Sequence, residues 1–550
     1  MELINQHIKK IMEGCKERAR AAGLSFDDET LEYIVTNRDL LELAPKAMIP
    51  TLYDYWVHDV EVLKEKGKYE LYPDNPYETV INTRPAISFY NDNNPDWLNV
   101  MIFYHVLAHI DFFNNNLFFR HTWDYDFCGQ ALSDKRVIAN LRSEKGRWVD
   151  YVIEFTRGID NLVGYHDELA RMNRFPLTIL SKRLNFYFDV FLQSDKKVNI
   201  TEYVREVGRY NDCVKKAGAS GEKTFFAEVN KQYPEFEAVY QKSLKKKSTD
   251  NLDLIQFLME HSVFLNKEEN KWMKSVMQIV RKTSLFLQPQ IRTKIINEGW
   301  ASYWHETLFL QDDRIKGHEV DFARVNAAVT SLPRVGLNPY ALGMRLLYYI
   351  EEMTDKGKYS IEFEQIQDAD KRKLYNAHTG KGRDFIFIVR ENFSDFMLIN
   401  TYLDQDFVNR NKLFVAGRRL NQDKMVWEYY IKSRKVKAYR QMLLDILYHP
   451  PHITIDPGKN DGNSLYLIHH FEGKPLVTDF ILNTMIGIEY LWGGPVHLET
   501  NEVVRVTPSP KKDTPTRPSA WVYEEEEIPE IQWRHVLYTM ENRKLTKKTI

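Results

Sequence analysis

Apolar residues recur at helical intervals along the first two-thirds of this chain. Leu3, Ile4, Ile8 and Ile11 open the pattern, and residues 1 to about 66 read as helices. The run 77–90, YETVINTRPAISFY, interrupts it. Its β-branched and aromatic residues, bounded by turn formers, predict a short extended segment. Asp92, Asn93, Asn94 and Pro95 then mark a helix start, with asparagine suited to the cap and proline to the first turn. That helix is predicted over Pro95 to about Asn116. Further helical patterns cover about 134–172, 222–247, 251–265 and 267–287. Another begins near Pro289 and carries EGWASYWHE. A last one starts in LNPYALGMRLLYYIEEM, with Asn338 as cap and Pro339 at the first position.

After about Lys356 the period shortens. Strands are predicted at 384–391, 412–418, 425–433, 451–457, 464–471 and 496–503, with helices at 434–448 and 475–491 between them. Asp461-Gly462 between two strand patterns predicts a hairpin. From Thr507 the chain turns rich in Pro, Lys and Thr, then acidic at Glu524–Glu527, and reads as a linker with a short terminal element. A single core stops growing at roughly 250–300 residues, so 550 residues require more than one. The expected organisation is a mainly α N-terminal domain over 1–356, a small α+β C-terminal domain over 380–505, and a linker and tail over 506–550.

Composition narrows the class. With 43% hydrophobic and 13% aromatic residues the chain can bury a large core. The 75 Lys+Arg against 77 Asp+Glu argue against a dedicated nucleic-acid binder. Cys15, Cys128 and Cys213 are widely spaced and form no CxxC, which argues against a disulfide framework or a cysteine zinc site. The charged N-terminus has no apolar stretch of a secretory signal, and no run is long enough for a membrane span. A cytoplasmic location is expected. No GxxxxGK[ST] or GxGxxG occurs, so nothing points to a phosphate-cradling loop.

Reactive side chains concentrate in two helical segments. In HVLAH, His105 and His109 stand at i and i+4, where two imidazoles share a helix face and can hold one metal ion. With 16 histidines in the chain, chance alone supplies roughly half a pair at this spacing. The plainer reading is therefore a pair of core histidines with satisfied hydrogen bonds. In NEGWASYWHE, Glu298 and His305 are seven apart and nearly in line, with Ser302 between them. Gly299 removes a side chain, which lets another helix come close. Trp300 and Trp304 form a separate packing stripe. Here the plainer reading is an aromatic core helix with a buried Glu–His pair, although a buried carboxylate still demands a cation or a donor. Together the segments offer His105, His109, Glu298 and His305 as a zinc or iron ligand set on facing helices. Arg120, His121, His318, Glu319 and Asp321 read as helix-end or solvated groups. His469 and His470 adjoin in a strand and so face opposite ways.

YETVINTRPAISFY, HVLAHIDFFNNNLFF, FLQPQIRTKIINEGWASYWHE, NPYALG, SLYLIHHFEG and LWGGPVHLET occur in this order between about 70 and 500. In these phrases the chain resembles the SpoVR family, named for the stage V sporulation protein R. The resemblance implies a cytoplasmic protein of sporulation, in spore cortex formation, or of stress physiology. It also implies a PrkA-type serine kinase and a von Willebrand-like protein as partners. It supplies no reaction.

EGWA after an upstream histidine pair is also similar to the gluzincin-type metallopeptidases. That similarity implies a zincin-like helical core with His105, His109 and Glu298 as ligands. Those enzymes carry HExxH, whose glutamate activates the metal-bound water; here that position is Val106. Glu306, about 80° round the helix from Glu298, is the first choice for a substitute base. His305 is the alternative if it is not a ligand. Asp111 is expected as a cap or a supporting group, and Ala108 replaces a glycine common in the family.

Three functions compete. The first is a metal-dependent hydrolase of an amide bond, with zinc the expected ion. The second is a non-catalytic scaffold or regulator that docks a kinase, through a C-terminal domain with exposed strand edges. The third is a redox protein with iron in the same site, ranked last because paired Glu-x-x-His motifs are missing.

Overall fold

The computed structural model describes residues 2–27, 29–36, 39, 78–122, 126–163, 182–196, 200–245, 253–421, 425–447, 450–456, 458–460, 463–471, 474–507 and 530–550. The chain is mostly helical, with strands near the N-terminus and in the C-terminal region. Its contacts divide it into two compact units, residues 1–165 with 253–550, and residues 166–252. This division runs along different lines from the 1–356, 380–505 and 506–550 partition expected from the sequence.

In the larger unit one core surrounds a central helix. Helices α1 (Gln6–Ala21) and α2 (Asp96–Asn115) pack together, and α2 is buried at every position from Asn99 to Phe113. A helix apolar all round must be covered on all sides, and α2 is. Pro95 takes the N-cap position itself, one residue earlier than expected. A four-stranded sheet of β1 (Glu2–Leu3), β2 (Thr30–Val35), β3 (Glu78–Ile81) and β4 (Ala86–Asn91) has the order β1-β2-β4-β3. The extended segment expected at 77–90 is thus the β3–β4 pair, whereas β2 overturns an all-helical N-terminus. TLEYIV is β-branched enough to pair in parallel with β4.

The second core of this unit joins early and late parts of the chain. Helices α3 (Phe127–Lys145), α4 (Trp148–Arg157), α5 (Leu254–His261) and α6 (Lys271–Arg292) contribute Ile138, Val152, Leu258 and Met277. These pack with Leu467, Leu498 and Tyr538 of a five-stranded sheet. After α6 come α7 (Lys294–Phe309), α8 (Glu319–Thr330), α9 (Pro339–Asp355), α10 (Gly382–Asn392) and α11 (Asp395–Tyr402). A two-stranded ribbon, β5 (Val415–Asn421) and β6 (Val426–Ser433), precedes α12 (Val436–Ile446). The large sheet holds β7 (His452–Ile455), β8 (Leu465–His470), β9 (Val496–Thr507), β10 (Glu530–Glu541) and β11 (Lys544–Thr549), in the order β11-β10-β9-β8-β7. Helix α13 (Thr478–Trp492) joins β8 to the parallel β9.

Three expectations are corrected. DFIFIVRE is helical in α10, because the residues it buries, Ile386, Val389 and Arg390, are spaced for a helix face. The helix expected to begin near Pro289 begins at Lys294; Pro289 lies inside α6, where the Thr293 hydroxyl donates to the Pro289 carbonyl at 2.7 Å. The short terminal element is a strand pair longer than expected, since β10 and β11 complete the five-stranded sheet. Their turn is Asn542-Arg543, both at positive φ, the geometry of a two-residue hairpin. The helices expected at 40–66, the Asp461-Gly462 hairpin and the 508–529 segment lie outside the described residues.

The smaller unit has its own aromatic core, in which Tyr187, Phe191, Phe225, Phe226 and Phe236 are all buried. No described helix is long and apolar enough to cross a membrane.

Candidate metal centre

Helix α7 lies between α2 and α9, and its glycine sets the distance. A Cβ on Gly299 would stand 2.4 Å from the Gly343 carbonyl carbon, and one on Gly343 would stand 2.0 Å from the Ile295 carbonyl oxygen. The backbones of α7 and α9 therefore touch. The start of α7 is held from a distant segment: the Asp395 carboxylate accepts from the Ile295 and Ile296 amides at 2.8 and 2.9 Å. Burial pushes Asp395 up to about 7, against the pull of those two amides. Asp111, a supporting group as expected, accepts from the Trp300 indole at 2.9 Å and the Ser25 amide at 2.7 Å, with Arg390 at 3.6 Å. It is pushed up to about 6, by burial above all. These contacts settle the height and rotation of α7 against α2.

The result brings His105, His109 and Glu298 together. One ligand atom from each lies within 4.8 Å of the others. The Glu298 Oε2 atom is 3.5 Å from His109 Nε2 and 4.0 Å from His105 Nε2. Ligand atoms around a tetrahedral zinc with bonds near 2.0–2.1 Å stand roughly 3.3 Å apart, so the 3.5 Å separation of His109 and Glu298 is already close to that spacing. The histidines are buried and the Glu298 side chain is 18% exposed, which makes it the solvent side of the site.

Hydrogen bonds set the remaining ring nitrogens. His109 Nδ1 meets the Asn297 side-chain oxygen at 2.9 Å, so His109 donates there and turns Nε2 toward Glu298. His105 Nδ1 lies 2.8 Å from His305 Nδ1, and His305 Nε2 lies 2.9 Å from Asn326 Oδ1. Burial holds His105 well below the ordinary imidazole range, with His109 adding to the effect. Burial, then the neighbouring His105, lowers His305 to about 3. Both rings are neutral. One ligand atom each of His105, His109 and Glu298 thus faces a common space, and Glu298 Oε2 is buried without a hydrogen bond to the described residues. A cation satisfies such a set, so the donors present fit a metal ion.

His305 is not brought to the cluster as a fourth ligand, because both of its ring nitrogens are engaged. Glu306 is not brought to it as a base. Its oxygens accept from Asn326 Nδ2 at 2.6 Å and from the Tyr348 hydroxyl at 3.1 Å. Asn297, Asn326 and Asp395 were not singled out by the sequence. Asn297 had a local signal, since it directly precedes Glu298; Asn326 and Asp395 had none. His318 is half-exposed at the start of α8, and His469 and His470 face opposite ways, as expected.

The family described as SpoVR like protein matches residues 2–449. An uncharacterized protein YcgB of Escherichia coli (strain K12) is 23% identical over 353 residues, covering 59% of this chain and 61% of its own. The chain thus spans about three-fifths of the length of that curated relative. No solved structure matches. With most of its length matched, the chain belongs to the SpoVR-like family.

Proposed function

We propose that His105, His109 and Glu298 bind one transition-metal ion, zinc before iron, and that the protein is a metal-dependent hydrolase of an amide bond. In this reading it acts in the cytoplasm, in sporulation or stress physiology. The observation that carries it is the convergence of three ligand atoms around a buried site, with His105 held well below the ordinary imidazole range by burial. Two histidines on one helix faced by a glutamate on another support this reading. Three protein ligands would leave a tetrahedral ion one open position. Zinc held there would supply Lewis acidity to a carbonyl. The chain's own part is to orient the ligands, through Asn297 and His305, and to keep His105 deprotonated by burial. Val106 and the engaged Glu306 leave the base role outside these residues.

The test is metal content by mass spectrometry, wild type beside Glu298→Ala, followed by turnover on a panel of amides. About one zinc per chain, lost in the variant, together with turnover bears the proposal out. No metal after reconstitution, or no turnover by the loaded protein, removes the corresponding half.

One observation favours the scaffold reading, with a PrkA-type serine kinase as partner. The β5–β6 ribbon pairs with no other strand among the described residues. Its face aligns Leu420 with Trp427 and Arg418 with Tyr429, and Trp427 and Tyr429 are 57% and 61% exposed. Exposed aromatic faces of this kind are recognition surfaces. Capture of the kinase by wild type, lost in Trp427→Ala/Tyr429→Ala, would favour it; unchanged capture would remove the ribbon from that role.

A further inference from the structure

The proton on His105 is placed by a carboxylate that never touches it. Glu306 accepts from Asn326 Nδ2 at 2.6 Å. That contact orients the amide, so Asn326 presents Oδ1 to His305 Nε2 at 2.9 Å. An amide oxygen only accepts, so Nε2 carries the His305 proton and Nδ1 is a lone pair. His105 Nδ1, 2.8 Å away, must then be the N–H. Its Nε2 is left as a lone pair on the side of Glu298, 4.0 Å off. The Tyr348 hydroxyl donates to the other Glu306 oxygen at 3.1 Å, so the chain has a fixed starting direction. Reversing one link reverses every later one, and His105 would then turn an N–H toward the cluster.

We infer that Glu306 and Asn326 are positioning residues which, through His305, hold His105 in the one tautomer whose Nε2 can ligate a metal ion. The inference rests on the metal reading of the site, and it gives Glu306 work other than that of a general base. Outer hydrogen bonds of this kind fix the tautomer and orientation of a ligating histidine, and their loss typically lowers metal affinity about 10–100-fold. The geometry also says which substitutions are equivalent. Glu306→Gln/Asn326→Asp moves the donor to the other side of the contact yet still offers His305 an acceptor oxygen. Asn326→Leu offers none.

The test reads the two consequences separately. Ring tautomers of the metal-free full chain come from long-range proton–nitrogen correlation spectra of 15N-histidine protein, with His105 assigned by its absence in His105→Gln. Zinc affinity comes from competition with a chromogenic chelator. In wild type, His105 should carry its proton on Nδ1. Asn326→Leu should mix the two tautomers and weaken zinc binding roughly 10–100-fold. The double exchange should restore the wild-type spectrum and affinity. Retention of the Nδ1 proton and of zinc affinity in Asn326→Leu would overturn the inference, as would a double exchange as impaired as the single variant. If wild type binds no zinc, the metal reading falls, and the tautomer spectra still decide the relay.

Discussion

His109 Nε2 stands 3.5 Å from Glu298 Oε2 across the α2–α7 interface, and that oxygen is buried without a hydrogen bond to the described residues. Such an oxygen costs stability in the metal-free chain and returns it when an ion lies beside it. Glu298→Gln replaces one acceptor oxygen by an N–H donor. It should leave the metal-free protein as stable as wild type or more so, by about 0.5–1.5 kcal/mol, the worth of one hydrogen bond. Zinc affinity should fall by more than the roughly 10–100-fold of an outer-shell change. Urea unfolding and a zinc titration check both. A variant that loses stability and keeps zinc would show Glu298 to be a structural group.

The touching backbones of Gly299 and Gly343 predict a steric penalty at either position. In Gly299→Ala the new carbon meets main chain at 2.4 Å, which cannot swing aside as a side chain would. Overpacking of this kind costs about 1–3 kcal/mol. The helix bearing Glu298 must shift, so zinc affinity should drop with stability. Denaturant unfolding of Gly299→Ala and Gly343→Ala measures it, and a loss under about 0.5 kcal/mol, the range of an ordinary surface change, would contradict the packing.

Asp395 makes stability depend on pH. Its folded value of about 7 lies above the ordinary carboxyl value near 4. Between these the folded state holds a proton that the unfolded chain has released. The group's contribution is therefore complete below about pH 4 and is lost as the pH rises through 7. In metal-free protein the stability of wild type relative to Asp395→Asn should decline from pH 5 to pH 8. A difference that grows with pH would mean that Asp395 is already ionised at pH 5 and that its bonds to the Ile295 and Ile296 amides dominate.

The ribbon residues should be separable from the metal centre. Trp427 and Tyr429 are exposed, so alanine at either should change stability by no more than about 0.5 kcal/mol and leave zinc uptake untouched. Thermal melts with and without zinc decide this. A large loss of stability would show the aromatic face to be packed in the folded protein.

Local order was legible in the sequence. The i, i+4 spacing of His105 and His109 places both on one side of α2 whatever surrounds it, and Gly299 marked the close approach of a second helix, since only a missing Cβ allows one. The cap at Asn338 and the extended character of β3 and β4 follow equally from near neighbours. The run DFIFIVRE satisfies both periods over its short length, and only the surface it packs against selects the helix of α10. What Glu298 faces, and what His305 and Glu306 do, depended on the tertiary structure. A rotation of α7 by one residue, about 100°, would change which side chains meet α2. That rotation is set by Asp395, Asp111 and the Gly343 backbone, contacts across long sequence separations. The sequence by itself determined which side chains each helix carries on each face; the tertiary structure alone decided which faces meet, because that depends on packing between segments far apart in the chain.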